Sequence, residues 1–186
     1  SDKAKAYLDG RGVDAAIRTQ FMIGYAPDGY SALKDALGTD DRRMKLLDRA
    51  GLFSKNDRGH VYDKFRDRVM FPIHDRRGRV IAFGGRVLDK DASPKYLNSP
   101  ETPLFDKGRN LFNAGPARAA AAKAGTVVVA EGYMDVIALA AAGIPNAVAP
   151  LGTAITEEQL HLLWRISAEP VVALDGDRAG LSAARR

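Results

Sequence analysis

Apolar and polar positions alternate in three different ways along the chain, and each regime predicts a different kind of local structure. In residues 4–52 apolar side chains recur in short groups, at Ala6-Tyr7-Leu8, 13–21, 30–37 and 42–50, broken by Gly10, Gly24, Pro27-Asp28-Gly29 and Gly51. That spacing with those breakers predicts short helices, and nothing in this stretch is catalytic in composition. From Arg58 the pattern shifts to near-continuous apolar runs: residues 68–74 and 79–84 flank Asp75-Arg76-Arg77-Gly78, which predicts a β-hairpin. A long loop carrying Pro94, Pro100 and Pro103 follows. After Asn113-Ala114-Gly115-Pro116 the pattern predicts an alanine-rich helix, a strand over 126–130, a helix over 134–142 stopped by Gly143, and a strand over 147–149. A helix after Thr156 and a strand over 171–174 complete the series; such alternation packs as a parallel sheet with helices on its faces. Thr156-Glu157-Glu158-Gln159 has the spacing of a capping box, and residues 178–186 begin one further helix.

Two of the predicted strands end directly in acid, Glu131 after the first and Asp175-Gly176-Asp177 after the last. Ligands of open α/β sheets bind at the carboxyl ends of strands, and adjacent strands lie roughly 5 Å apart, so the three carboxylates can share a divalent cation. Magnesium takes one or two carboxylates together with water and phosphate oxygens, a demand that Asp175 and Asp177 meet at positions i and i+2. Glu131 serves as a further ligand or as general base on an attacking hydroxyl. Taken singly, each acid also has an ordinary reading, as a polar turn or a helix-start residue. Asp135 falls in the first turn of its predicted helix, where capping competes with function.

Composition narrows the chemistry. A hydrophobic content of 46% supports a substantial core, in one domain or two small ones. The absence of cysteine excludes disulfides and thiolate zinc sites, and three histidines far apart do not make a histidine site, so any metal is expected to be held by oxygen. No apolar run approaches the roughly 20 residues of a membrane helix, and the opening Ser1-Asp2-Lys3-Ala4-Lys5 is not a secretory signal, so a soluble cytoplasmic protein without membrane association is expected. Lysine and arginine number 28 against 23 acids, and the resulting net charge of +5 lies entirely within residues 58–109, whereas residues 111–186 carry one net negative charge. A basic half joined to a half that presents carboxylates suits a polyanion led to a metal site.

At this point the motifs resemble a family. Glu131-Gly132-Tyr133-Met134-Asp135 and Asp175-Gly176-Asp177-Arg178-Ala179-Gly180 are similar to the Toprim motifs of bacterial DnaG-type primases. Residues 62–73, from Tyr62-Asp63-Lys64-Phe65-Arg66-Asp67-Arg68 to Ile73, resemble the RNA-polymerase-domain motifs, as do 78–88, 94–102 and Tyr7-Leu8-Asp9-Gly10-Arg11-Gly12. The resemblance implies an α/β fold, a Toprim-type parallel sheet flanked by helices at 114–186, preceded by a small basic α+β subdomain at 1–113. It implies synthesis of RNA primers on a single-stranded DNA template from ribonucleoside triphosphates, with magnesium or manganese held by Glu131, Asp175 and Asp177 and supported by Asp135 and Arg178. Arg11, Arg66, Arg68, Arg86, Lys95, Lys107 and Arg109 lie in matched motifs and would bind template or nucleotide through phosphate. Gly84-Gly85 before Arg86 permits close backbone approach, and the irregular loop after Lys95 displays its side chains. Tyr96, Phe83 and Phe105 are candidates for base stacking, with core packing the competing fate of Phe83. Arg42, Arg76 and Arg77 read as solvated charges.

The same resemblance makes the chain a fragment, without the zinc module, a further acidic motif or the helicase-binding region of whole primases, whose partners include the replicative helicase and single-stranded DNA-binding protein. Other Toprim enzymes, a topoisomerase or an OLD-type nuclease, would share the carboxylates but not residues 62–102. A haloacid-dehalogenase-like phosphatase would use Asp-x-Asp as nucleophile, but Arg178 stands where it has threonine. A non-catalytic single-stranded DNA-binding module is the alternative from a different class.

Overall fold

The structure, a computed structural model, describes residues 1–89, 91–152 and 154–174. Asp175, Asp177, Arg178 and the helix expected over 178–186 lie outside the described residues. The chain divides into two units, Ser1–Pro72 with Ile81–Phe105 and Ile73–Val80 with Asp106–Arg186.

The first unit begins with helices α1 (Asp2–Asp9) and α2 (Ala15–Gln20), a short strand β1 (Gly24–Ala26), and helices α3 (Ala32–Leu37) and α4 (Asp41–Arg49). Helices this short depend on their ends: Asp14 accepts from the Ile17 amide and Asp40 from the Arg43 amide, each at 2.8 Å. The small antiparallel pair β2 (Phe53–Lys55) and β3 (Val61–Asp63) follows. Asp63, only 3% exposed, supplies the start of α3 from outside that helix, accepting from the Leu33 amide at 2.6 Å and the Lys34 amide at 3.0 Å. Strands β4 (Arg68–His74), β5 (Val80–Val87) and β6 (Tyr96–Asn98) form a sheet in the order β1-β4-β5-β6. Val69, Phe71 and Ile73 alternate along β4 and are fully buried, the period of a strand with one face on a core. The predicted hairpin is present, its turn closed by the Asp75 amide on the Arg79 carbonyl at 2.9 Å. Strands β1 and β6 were not expected; three residues are too few to register a period of two, and the pairings Tyr25↔Val69 and Arg86↔Tyr96 create them.

The second unit carries a 3₁₀ turn (Lys107–Arg109), β7 (Leu111–Phe112), α5 (Ala114–Ala124), β8 (Val128–Val129), α6 (Tyr133–Ala141), β9 (Ala147–Pro150), α7 (Glu157–Trp164) and β10 (Val171–Val172). Its sheet runs β10-β8-β9-β7, with β10, β8 and β9 parallel as expected and β7 antiparallel on β9. Ala117 and Ala121, one turn apart on α5, pack with Leu111, Val127, Val129, Val148 and Leu163 in its core. Gly143 ends α6 at φ +87°, a conformation that suits glycine. The capping box forms: Gln159 N donates to Thr156 Oγ1 and Thr156 N to Gln159 Oε1, both at 3.1 Å.

One polar tie joins distant parts of the first unit. Asp67, at φ +45°, accepts from Lys3 Nζ and from the Tyr25 hydroxyl, each at 2.6 Å. The Lys3 and Tyr25 hydrogen bonds hold the Asp67 carboxyl below its ordinary value. A carboxylate favoured in the folded chain contributes stability that is complete above its unfolded pKa and is lost as pH falls through the lowered one. Thermal melts are therefore expected to place Asp67→Asn below the unmutated chain near pH 7, with the gap closing as pH falls into and below the ordinary aspartate range. A gap constant over that range would show that the charge of Asp67 contributes nothing.

Candidate nucleic-acid interface and carboxylate edge

The basic residues of the first unit are organised by tyrosines. The Arg86 guanidinium carbon lies 4.4 Å from the centre of the Tyr7 ring and 5.8 Å from that of Tyr96, its cross-strand partner between β5 and β6. Arg11 approaches the same Tyr7 ring at 5.6 Å. The Tyr7 hydroxyl is buried and has no hydrogen-bond partner among the described residues. A second cluster sets the Arg66 guanidinium 4.5 Å from the Tyr30 ring and 4.9 Å from the Tyr62 ring, with Nη1 donating to the Asp63 carbonyl at 2.9 Å. Tyr30 is 67% exposed and meets Tyr62 edge to face at 5.8 Å. Stacking on a ring face leaves the guanidinium edge, where its donors lie, able to meet a phosphate.

Arg68 is placed differently from the other basic residues. It is 7% exposed, and its Nη1 donates to the Pro94 carbonyl at 3.0 Å, with longer contacts to the Gly85 and Lys95 carbonyls at 3.3 and 3.4 Å. Burial, followed by the neighbouring Arg66 charge, lowers its pKa from the ordinary arginine value. The close approach anticipated at Gly84-Gly85 occurs at Gly85, where an added Cβ would come within 2.9 Å of the Phe65 ring and 3.0 Å of Arg68 Cδ. Arg68 thus braces the loop that carries Lys95, which itself is exposed. Lys107 and Arg109, also exposed, belong to the second unit.

Phe105 is 1% exposed, so the stacking role considered for it does not fit; Phe83 is partly buried and Tyr96 is 42% exposed. Tyr7, Tyr30 and Tyr62 escaped the sequence reading. A signal was present in Tyr7-x-x-x-Arg11 and Tyr62-x-x-x-Arg66, the same four-residue step twice, in each case with a ring beneath the cation.

In the second unit the carboxyl end of β8 delivers Glu131 to an exposed position. β10 runs parallel beside it in the register Val171↔Val128 and Val172↔Val129, and the ladder continues through the Ala173 amide on the Val129 carbonyl at 2.8 Å. Leu174, the last described residue, therefore leaves the sheet at the edge where Glu131 leaves it, and Asp175 follows in sequence. Among the described residues no three carboxylate or histidine side chains gather into a metal site. Asp135 caps: its Oδ2 accepts from the Gly132 amide at 3.0 Å, which sets the start of α6 directly after Glu131.

Residues 1–118 match the family described as DNA primase catalytic core, N-terminal domain, and residues 125–186 match the Toprim domain. The DNA primase of Pseudomonas putida is 52% identical over 181 residues, which are 97% of this chain and 27% of that protein. A crystal structure of a DNA primase domain from Pseudomonas aeruginosa superposes with a TM-score of 0.93 at 52% identity, covering 98% of this chain and 57% of that one. The structure of a DnaG primase catalytic domain bound to single-stranded DNA gives a TM-score of 0.91 at 47% identity, over 98% of this chain and 57% of that one. The chain spans less than a third of the length of its whole relative. With both matches in chain order and these likenesses over nearly its full length, the chain belongs to the family of DNA primase catalytic cores, its second part being a Toprim domain.

Proposed function

We propose that the chain is the catalytic portion of a replication enzyme that makes short RNA primers on single-stranded DNA. It joins ribonucleoside triphosphates by nucleotidyl transfer: the 3′ oxygen of the growing strand bonds to the α-phosphorus of the next nucleotide, and pyrophosphate leaves. The observation that carries this reading is the parallel β8–β10 edge, where exposed Glu131 stands beside the strand that leads in sequence to Asp175 and Asp177. Oxygen donors of this kind suit a hard divalent cation, magnesium or in its place manganese, and a chain without cysteine offers no softer site. A bound cation would supply neutralisation of the triphosphate and acidity at the attacking hydroxyl. Glu131 either joins Asp175 and Asp177 in holding that cation or accepts the 3′ hydroxyl proton on its carboxylate.

Template is held by the first unit. Arg11, Arg66 and Arg86 meet phosphates along their edges while their faces rest on Tyr7, Tyr30, Tyr62 and Tyr96, and Lys95 adds a charge on the loop that Arg68 braces. Lys107 and Arg109 are the phosphate contacts of the second unit. Arg178 and Asp135 support the acidic site, Asp135 by fixing the backbone that follows Glu131. The related catalytic domain bound to single-stranded DNA favours this assignment of ligand. The replicative helicase, single-stranded DNA-binding protein and a cytoplasmic place at the replication fork belong to the same proposal for the whole protein; among the described residues no helix is long and apolar enough to cross a membrane.

Incorporation of labelled ribonucleotide on a single-stranded template tests the proposal, measured with this chain extended to the length of its relatives. Glu131→Gln is expected to lose about a hundredfold or more in incorporation while binding oligonucleotide within about twofold of the unmutated protein. Asp135→Ala is expected to lower stability by about 1 kcal/mol through its lost cap and, at temperatures where it is folded, to reduce incorporation because the backbone after Glu131 is no longer fixed, but less than Glu131→Gln does. No incorporation by the unmutated extended protein would leave the DNA-binding module as the better reading, and unchanged incorporation by Glu131→Gln would remove Glu131 from the reacting site. Arg86→Ala is expected to weaken oligonucleotide binding about tenfold and to flatten its salt dependence by about one unit of slope. A wholly preserved affinity would remove the Tyr7–Arg86–Tyr96 cluster from the interface.

A further inference from the structure

The 3₁₀ turn that carries Lys107 and Arg109 is held from outside itself. Within the turn, Asp106 Oδ1 accepts from the Gly108 amide at 2.9 Å, and the Arg109 amide donates to the Asp106 carbonyl at 3.1 Å. The carbonyls of Lys107, Gly108 and Asn110 all turn to the first turn of α7, about fifty residues later. Gln159 Nε2 donates to Lys107 O at 2.9 Å and to Asn110 O at 2.8 Å, and Thr156 Oγ1 donates to Gly108 O at 2.5 Å. Gln159 is 1% exposed, and each of its amide's polar atoms is engaged, Oε1 by the Thr156 amide.

A capping box asks of its third residue only an acceptor, and glutamate serves as well as glutamine. Here the box has glutamine, and the two N–H groups that the box does not use are the ones that reach the turn. Glutamate at this position would keep the box and set a carboxylate oxygen against two carbonyl oxygens. The turn presents its carbonyls to α7 while Lys107 and Arg109 stay exposed.

We propose that Gln159, seconded by Thr156, is a positioning residue for polyanion binding, fixing the backbone of the 107–109 turn so that Lys107 and Arg109 meet successive phosphates of a single strand. This rests on the reading of those two residues as phosphate contacts. Fixing the turn before binding lowers the ordering cost that two long side chains would otherwise add.

Fluorescence anisotropy with a fluorescein-labelled oligodeoxynucleotide, repeated across a salt series, tests it. Gln159→Glu and Gln159→Met are each expected to weaken binding about 3- to 10-fold and to lower the slope of log affinity against log salt by about one unit. In a Lys107→Ala/Arg109→Ala background the same substitutions are expected to change neither quantity, a coupling that general loss of stability would not produce. Circular dichroism at the assay temperature confines the comparison to folded protein. Thr156→Val, which removes the bond to Gly108 together with the cap on the Gln159 amide but keeps both Gln159 bonds to the turn, gives a smaller change in the same direction if the Gln159 variants do not fold. Wild-type affinity and slope in the folded Gln159 or Thr156 variant, or an equal loss in both backgrounds, overturns the positioning role alone. No effect of Lys107→Ala/Arg109→Ala overturns the phosphate reading and the inference with it.

Discussion

A turn that displays charge to a polyanion cannot also bury its backbone in a sheet, so its carbonyls must find donors elsewhere. In this protein that constraint is met each time by a buried or half-buried polar side chain sent from a distant segment. Arg68 reaches the carbonyls of Pro94 and Lys95, and Gln159 those of Lys107 and Asn110. Asp63 does the complementary task for amides at the start of α3, and Asp67 gathers Lys3 and Tyr25 around the Arg66–Arg68 segment. Leaving one such buried group without a partner costs about 1–3 kcal/mol, a large part of a domain's net stability. The basic loops are therefore shaped by the polar side chains behind them together with backbone pairing, the Val87 amide donating to the Lys95 carbonyl at 3.0 Å.

The arginines divide into two kinds on the same physical ground. Arg68 spends its donors on carbonyls and is braced inside the fold. Arg11, Arg66 and Arg86 lie against ring faces, an attraction of about 0.5–1 kcal/mol at exposed sites; Arg66 and Arg86 each give one N–H to a carbonyl, of Asp63 and Val87, and the stacking itself uses none of the others. The ring limits the rotamers of a long side chain and leaves its planar edge for bidentate contact with phosphate. Lysine at these positions would keep the charge and lose that arrangement, because an ammonium has neither the flat face nor the fork.

Long-period features were legible in the sequence, and features made by pairing were not. The 68–74 and 79–84 hairpin, the βα alternation after residue 114 and the Thr156–Gln159 box rest on local spacing, and all are present. Strands β1, β6 and β7, of two or three residues, exist because a neighbour offers them a ladder, which no local pattern records. The basic character of residues 58–109 was visible, but the inward turn of Arg68 was not: within Arg66-Asp67-Arg68 the positive φ of Asp67 separates the two arginines into one that stacks and one that is buried. Phe105 misled for a related reason. A phenylalanine between Leu104 and Asp106 in a proline-bearing loop reads as displayed, yet Leu104 is 67% exposed and Phe105 is the residue turned inward.

The acidic edge depends on how the start of α6 is served. The Gly132 amide is taken by Asp135, from inside the helix, which closes the start of α6 directly after Glu131. Asp135 also fixes the turn of backbone between strand and helix, and with it the direction in which the chain leaves the sheet. The parallel register of β10 on β8 brings a second strand to the same edge two residues before its first acid, Ala173 opposite Ala130. Strand pairing thus fixes how β10 lies along β8, and the Asp135 cap fixes the backbone that carries Glu131 into α6.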